Sequence, residues 1–111
     1  MYNENDLERL KLISLKIEYI LNNCNEGIVK ALEDNITLRP AIMMHLTSIS
    51  EQFTKIKDNI LLSKFDESDL KGAVDIRNFI AHDYEGINLP IIEFVIRERL
   101  PLIKQIIDNI K

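Results

Sequence analysis

The chain has 111 residues, 46% of them apolar and 29% charged, with a formal net charge of −4. That length holds one core, burying roughly two-thirds of the unfolded surface, so residues 1–111 are read as a single globular domain and not as a disordered chain. The acidic balance excludes a cation-coated surface for gripping long nucleic acid, though not a local basic cleft.

The solitary Cys24 excludes an intrachain disulfide and a cysteine-based zinc site, and a reducing cytoplasm is its simplest setting. "MYNENDLERL" lacks the cationic flank and apolar run of a signal peptide. No stretch of about 18 apolar residues offers a membrane span, so a cytoplasmic chain is expected.

In chain order, Leu7, Leu10, Ile13, Ile17, Ile20 and Cys24 recur at steps of three and four, while Leu12, Leu15 and Tyr19 make a second apolar stripe. That pattern belongs to a helix touching two neighbours. Asn5 and Glu8 resemble a capping box, which predicts a first helix from Asp6 to Asn22. "NEGIVKALEDN" supports a short second helix. Thr37 precedes Leu38, Arg39 and Pro40, the start of a third, in which Ile42, Leu46, Ile49, Phe53, Ile56 and Ile60 form a heptad seam suited to bundle packing.

Asp66 or Ser68 caps a predicted fourth helix, with Leu70, Ala73, Val74, Ile76, Phe79 and Ile80 on its buried side. Gly86 is expected to stop it and Asn88 to cap a fifth. Pro101, inside the last periodic stretch, lacks an N–H and clashes with the carbonyl of Arg97, so a kink or break is predicted there. With no strand pattern or repeat, the fold class is an all-α bundle of about five helices.

"IRNFIAHDYEG", from Ile76 to Gly86, gathers Arg77, Asn78, His82, Asp83, Tyr84 and Glu85 on the fourth helix. Side chains rotate by about 100° per residue, so Arg77 and Tyr84 fall on one line, as do Asn78 and His82, while Arg77 and His82 diverge by about 140°. Either the helix ends near His82 and lets it swing, or a second copy supplies the missing half of a site. An Arg and a His near a helix C-terminus also suit the negative end of the helix dipole with no function at all.

No phosphate loop, nucleophile elbow or metal-ligand spacing accompanies the cluster. A metal-free proton-transfer site fits better. His donates and accepts protons near neutral pH, and Arg holds a phosphate or phosphorane through forked charge-assisted bonds. Together they match RNA cleavage through attack of the 2′-hydroxyl, with a homodimer presenting two copies of each group. Outside the cluster, His45 reads as a partly buried or interface histidine and Cys24 as a small core hydrophobe. Arg97, Arg99 and Lys104 read as a solvated face in preference to an RNA groove.

At these residues the chain resembles a known family. Arg77-Asn78-Phe79-Ile80-Ala81-His82-Asp83-Tyr84 matches the R-x4-H signature of the HEPN superfamily, extended to the R-x4-H-x-Y of the HepT-type toxins. "DLERLKLI", "TLRPAIMMHLTSISE" and "RERLPLIKQII" carry the likeness along the rest of the chain. The resemblance implies a homodimeric HEPN-type bundle and a metal-independent endoribonuclease toxin that uses no cofactor, with catalytic Arg77 and His82 of both protomers in one cleft and Asn78 supporting them. It further implies a toxin–antitoxin pair of type VII, in which a minimal nucleotidyltransferase antitoxin of the MntA type silences the toxin by attaching AMP to Tyr84. The alternative is a non-catalytic HEPN subunit that only partners the nucleotidyltransferase. Two departures stand out. In the turns before the arginine, Leu70 and Asp75 stand where many relatives carry an aromatic and a small residue, which puts an extra carboxylate near the cleft, and Ser50 replaces the usual Gly.

Overall fold

A computed structural model describes residues 2–82, 86 and 88–110. Its helices are α1 (Glu4–Asn22), α2 (Ile28–Glu33), α3 (Leu38–Lys55), α4 (Asn59–Leu62), α5 (Glu67–His82), α6 (Leu89–Phe94) and α7 (Leu100–Asp108), with a π-helical turn (Val95–Arg99) joining the last two. No strand occurs among the described residues. The all-α class is as expected, and the count differs because α4 is an extra single turn and the last predicted helix is built in two parts.

Helix starts obey capping chemistry with shifted partners. The Asn3 side chain, not that of Asn5, caps α1, accepting the N–H of Asp6 at 3.0 Å. Asp34, three residues ahead of Thr37, accepts the N–H groups of Ile36, Thr37 and Leu38 at 3.1–3.3 Å and so starts α3. Asp66 leads α5 through its carbonyl, which accepts from Asp69 and Leu70, whereas Ser68 lies inside the helix. Asn88 caps α6 as predicted. Gly27, before α2, has φ 118°, a left-handed conformation that disfavours any residue with a Cβ. As described, α5 ends at His82, and residues 83–85, between it and the Gly86 expected to stop it, lie outside the described residues.

The core follows the α1 and α3 stripes. Leu10, Ile13, Ile17 and Ile20 are buried against Ile42, Leu46, Ile49 and Phe53, and α7 adds Leu100, Ile103 and Ile107. Thus α1 packs on α3 and α7, and α3 packs on α5. The heptad seam stops sooner than predicted: Ile56 is the buried C-cap of α3, and Ile60 is exposed on α4. The cause is Asp6, a buried carboxylate on α1 that accepts the N–H groups of Lys57 and Asp58 at 3.1 and 2.9 Å. Backbone donors turned toward Asp6 are unavailable for another helical turn.

Several predicted core positions are exposed instead. On α5 only Ile76 is buried, Leu70, Ala73 and Ile80 are half-buried, and Val74 and Phe79 face outward. The second α1 stripe, Leu12, Leu15 and Tyr19, is likewise exposed within one chain. Pro101 behaves as predicted: the preceding backbone widens into the π turn, which removes the clash between its ring and the Arg97 carbonyl, and α7 restarts with Pro101 in its first turn.

An apolar groove of about 460 Å³ runs between α5 and the C-terminal helices, floored by Leu46, Ile49 and Phe53 of α3. Arg99 closes one end. Its Nε and Nη2 donate to the two oxygens of Asp69 at 2.7 and 2.6 Å, and Nη2 also reaches Asp66 at 3.2 Å. Arg99 is therefore a structural clamp and not part of a solvated face. Arg97 pairs with Glu93, and Lys104 with Asp108, which also accepts the Ser14 hydroxyl at 2.7 Å.

Two predictions follow from this packing. Asp6→Ala strands two backbone donors and lowers unfolding free energy by about 2–4 kcal/mol, with Asp6→Asn costing less because one acceptor survives; urea denaturation of both variants measures it. The second concerns pH. His45 on α3 is half-buried and lies against the Tyr19 ring, centroids 4.4 Å apart, and burial, aided by the charge of Lys16, holds its pKa below the ordinary 6.5. A depressed imidazole pKa favours the neutral form, so its share of stability is complete above 6.5 and is lost as pH falls through the folded value. Thermal melts should drop in midpoint as pH falls below about 6.5, and His45→Phe should flatten that step. In stronger acid, Asp34, Asp58 and Asp108, each held below its ordinary 3.8 by hydrogen bonds, add a further loss as they protonate.

Candidate nuclease site

The last two turns of α5 carry the polar cluster, and the packing of α5 on α3 decides how far each group is exposed. Arg77 is half-exposed and turned toward α3, where its Nε lies 3.8 Å from Oε2 of Glu51. That pair is solvated on both sides and weak. It engages the inner edge of the guanidinium, so the two terminal nitrogens remain available to an anion.

His82 closes α5 and is exposed. It shares a shallow depression of about 300 Å³ with Asp75, Asn78 and Phe79. Asn78 and His82 thus share one edge, as their four-residue spacing predicts, while Arg77 faces α3. One chain does not bring Arg77 and His82 to a single point. Tyr84, the predicted modification site, lies outside the described residues, as do Asp83 and Glu85.

Two acidic side chains join the site. Glu51 was not singled out by sequence reading, because its role depends on α3 and α5 lying side by side, a contact with no local signal. Asp75 was marked only as a departure; it lines the depression beside Asn78 and pairs with Lys71 at 3.0 Å. The Phe79 ring is 57% exposed and joins this depression to the apolar groove, whose far wall includes the exposed Ile91 and Phe94.

Other candidates take structural places. Burial pushes the Cys24 thiol up, away from a nucleophilic thiolate. Among the described residues no group of three or more His, Cys, Asp or Glu side chains is placed to hold a metal ion, and no helix is long and apolar enough to cross a membrane.

No solved structure gives a significant match to this chain. Among curated proteins it is similar to "mRNA nuclease HepT" of Shewanella oneidensis, 36% identical over 64 residues, a match covering 58% of this chain. The chain spans about half the length of that relative, the matched part being 48% of it. The family model described as "Ribonuclease HepT-like" matches residues 3–110, from the cap of α1 to the end of α7. With nearly every residue inside that match, the chain belongs to the HepT-like family.

Proposed function

We propose that this chain is a metal-independent endoribonuclease toxin that acts on RNA in the cytoplasm as a homodimer. The observation that carries the reading is the split of Arg77 and His82 over two faces at the exposed end of α5, beside an apolar groove left uncovered within the chain. The family description and the printed activity of the Shewanella relative support the same class of reaction.

In a two-fold dimer one cleft on the axis receives Arg77 and His82 from both protomers. One neutral imidazole takes the proton of a ribose 2′-hydroxyl as its oxygen attacks phosphorus. Arg77 terminal nitrogens hold the phosphorane oxygens, and the second imidazole, protonated, gives its proton to the departing 5′-oxygen. The products are a 2′,3′-cyclic phosphate and a 5′-hydroxyl. Asn78, on the His82 edge, supports the position of that ring or of the phosphate.

Regulation belongs to the same reading. A minimal nucleotidyltransferase of the MntA type transfers AMP to Tyr84. The added phosphate competes with RNA for the Arg77 guanidinium.

A second reading, a non-catalytic subunit that docks a nucleotidyltransferase, is favoured by acidity: Glu51 and Asp75 surround the cluster and oppose RNA phosphates. Cleavage assays separate the two. The wild-type chain should cut RNA in excess chelator with a dimeric mass, and Arg77→Ala and His82→Ala should each lose about 100-fold or more in kcat while keeping their helical circular dichroism. Intact RNA beside a co-purifying nucleotidyltransferase would establish the docking reading instead. Co-expression with that partner should add one or more adenylates to the wild type and none to Tyr84→Phe, which should stay toxic; an unmodified wild type would end the silencing model.

A further inference from the structure

Resting on the nuclease reading above, we infer that the seam between α1 and α3 is a track for single-stranded RNA, in which Arg9, Lys16 and Lys55 hold backbone phosphates and the Tyr19 ring stacks on a base. The two helices run antiparallel there. Arg9 Nη1 donates to Oε1 of Gln52 at 3.0 Å near one end, and the Tyr19 and His45 rings meet near the other, centroids 4.4 Å apart. Arg9, Leu12, Lys16 and Tyr19 follow one another at steps of three, four and three on α1, as do His45, Ser48, Gln52 and Lys55 on α3 at three, four and three. Each run therefore keeps to one side of its helix, and none of these side chains is buried.

The chain carries 18 acidic residues against 14 basic ones, yet neither run contains a carboxylate. Its cations are also uncommitted. Arg9 gives one N–H to a neutral amide, and Lys16 and Lys55 make no hydrogen bond or ion pair among the described residues. Elsewhere on the surface Lys11 pairs with Glu8, Lys30 with Glu26 and Arg97 with Glu93. Cations left without carboxylates in an acidic chain select an anionic occupant. Tyr19 favours RNA over an acidic protein in that role. Its ring leans on His45 and is still 42% exposed, so it is a supported ring with open surface. Cations beside an aromatic platform hold single strands without reading their sequence, because every base has a face to stack. A protein carboxylate would use the cations alone.

The seam also continues the candidate nuclease site. Arg77 on α5 faces Glu51 of α3, and the next residue, Gln52, faces Arg9, so one rank of side chains crosses α5, α3 and α1. With neighbouring helices about 8–10 Å apart, Arg9 lies about 16–20 Å from Arg77. Lys16 is about 10 Å further along α1. Glu51, the carboxylate on the way, has Arg77 on one side and Lys55 one helical turn away on the other, so a cation flanks it in both directions. A strand held at Arg77 reaches the seam only when it extends several nucleotides past the cleaved bond.

A labelled 2′-O-methyl oligoribonucleotide has no free 2′-hydroxyl to attack, so its fluorescence anisotropy reads binding without cleavage. The triple variant Arg9→Gln, Lys16→Gln, Lys55→Gln should keep its helical circular dichroism, bind about tenfold or more weakly, and lower the slope of log affinity against log salt by about 2, since each single-strand phosphate contact contributes about 0.7. The control triple Lys11→Gln, Lys30→Gln, Arg97→Gln removes the same charge outside the seam and should leave that slope nearly unchanged. Tyr19→Ala should cost about tenfold in affinity, and Tyr19→Phe should bind as the wild type does. Equal losses in the two triples, a slope unmoved by the seam triple, or full affinity in Tyr19→Ala overturns the inference. So does a seam triple that keeps its RNA affinity but loses a co-purifying acidic protein. On a dinucleotide, too short to reach the seam, the seam triple should cut at the wild-type rate; a loss there as large as on long RNA also overturns it. If the binding results hold while the wild type leaves cleavable RNA intact, the track stands and the nuclease reading falls.

Discussion

The forked bond between Arg99 and Asp69 decides which part of α5 is held and which is free. Asp69 is almost buried on the first turn of α5, and Arg99 sits where the π turn gives way to α7, so two well-aligned N–H donors join elements 30 residues apart. Asp66 takes a share of the same cation. These carboxylates already favour the positive N-terminal end of α5, and the guanidinium balances the charge they concentrate there. Clamped at its start and packed along α3, the helix leaves its far end standing clear of the C-terminal helices. The groove exists because α5 is tied to those helices at one end; the polar cluster occupies the other.

That placement explains why the exposed residues of α5 include Phe79. A ring of this size turned to water over a groove lined by Ile76, Ile91 and Phe94 is unfavourable in an isolated chain. Local helix chemistry offers no remedy, because the opposite face is already spent on α3. The energetic tension is of the kind that association relieves, and it lies next to His82.

Much of the fold was legible. The stripes of α1 and α3 name the core correctly, since a helix that buries one face must repeat its apolar residues with the helical period. The break at Pro101 was legible for a local steric reason. Other features were not, and they share a cause. Asp6 ends α3 from 51 residues away, and Arg99 finds Asp69 from 30, so no window of sequence holds both partners. Ile60 continues the α3 period on paper, but Asp6 has already turned the backbone. Val74, Phe79 and the second α1 stripe were assigned to packing because periodicity reports that a face is apolar, not that anything in the same chain covers it. At the candidate site the divergence of Arg77 from His82 was legible from 100° steps, as was the alignment of Asn78 with His82. Glu51 beside Arg77 was not, for it depends on how α3 and α5 register.

The divergence has a consequence for regulation on the proposed reading. A site whose base, acid and phosphate clamps are shared between two chains has no activity to lose in the monomer, so its catalytic output follows the dimer concentration, which at low concentration rises with the square of the chain concentration. A newly made chain is then harmless while scarce, and a partner has time to reach it before it pairs. The same division bears on the choice of modification residue. Blocking Arg77 by a group on the same chain acts within each protomer and does not require the dimer to come apart, whereas blocking an interface group would have to compete with association. A tyrosine that follows the arginine by only seven positions in sequence is where such a block belongs.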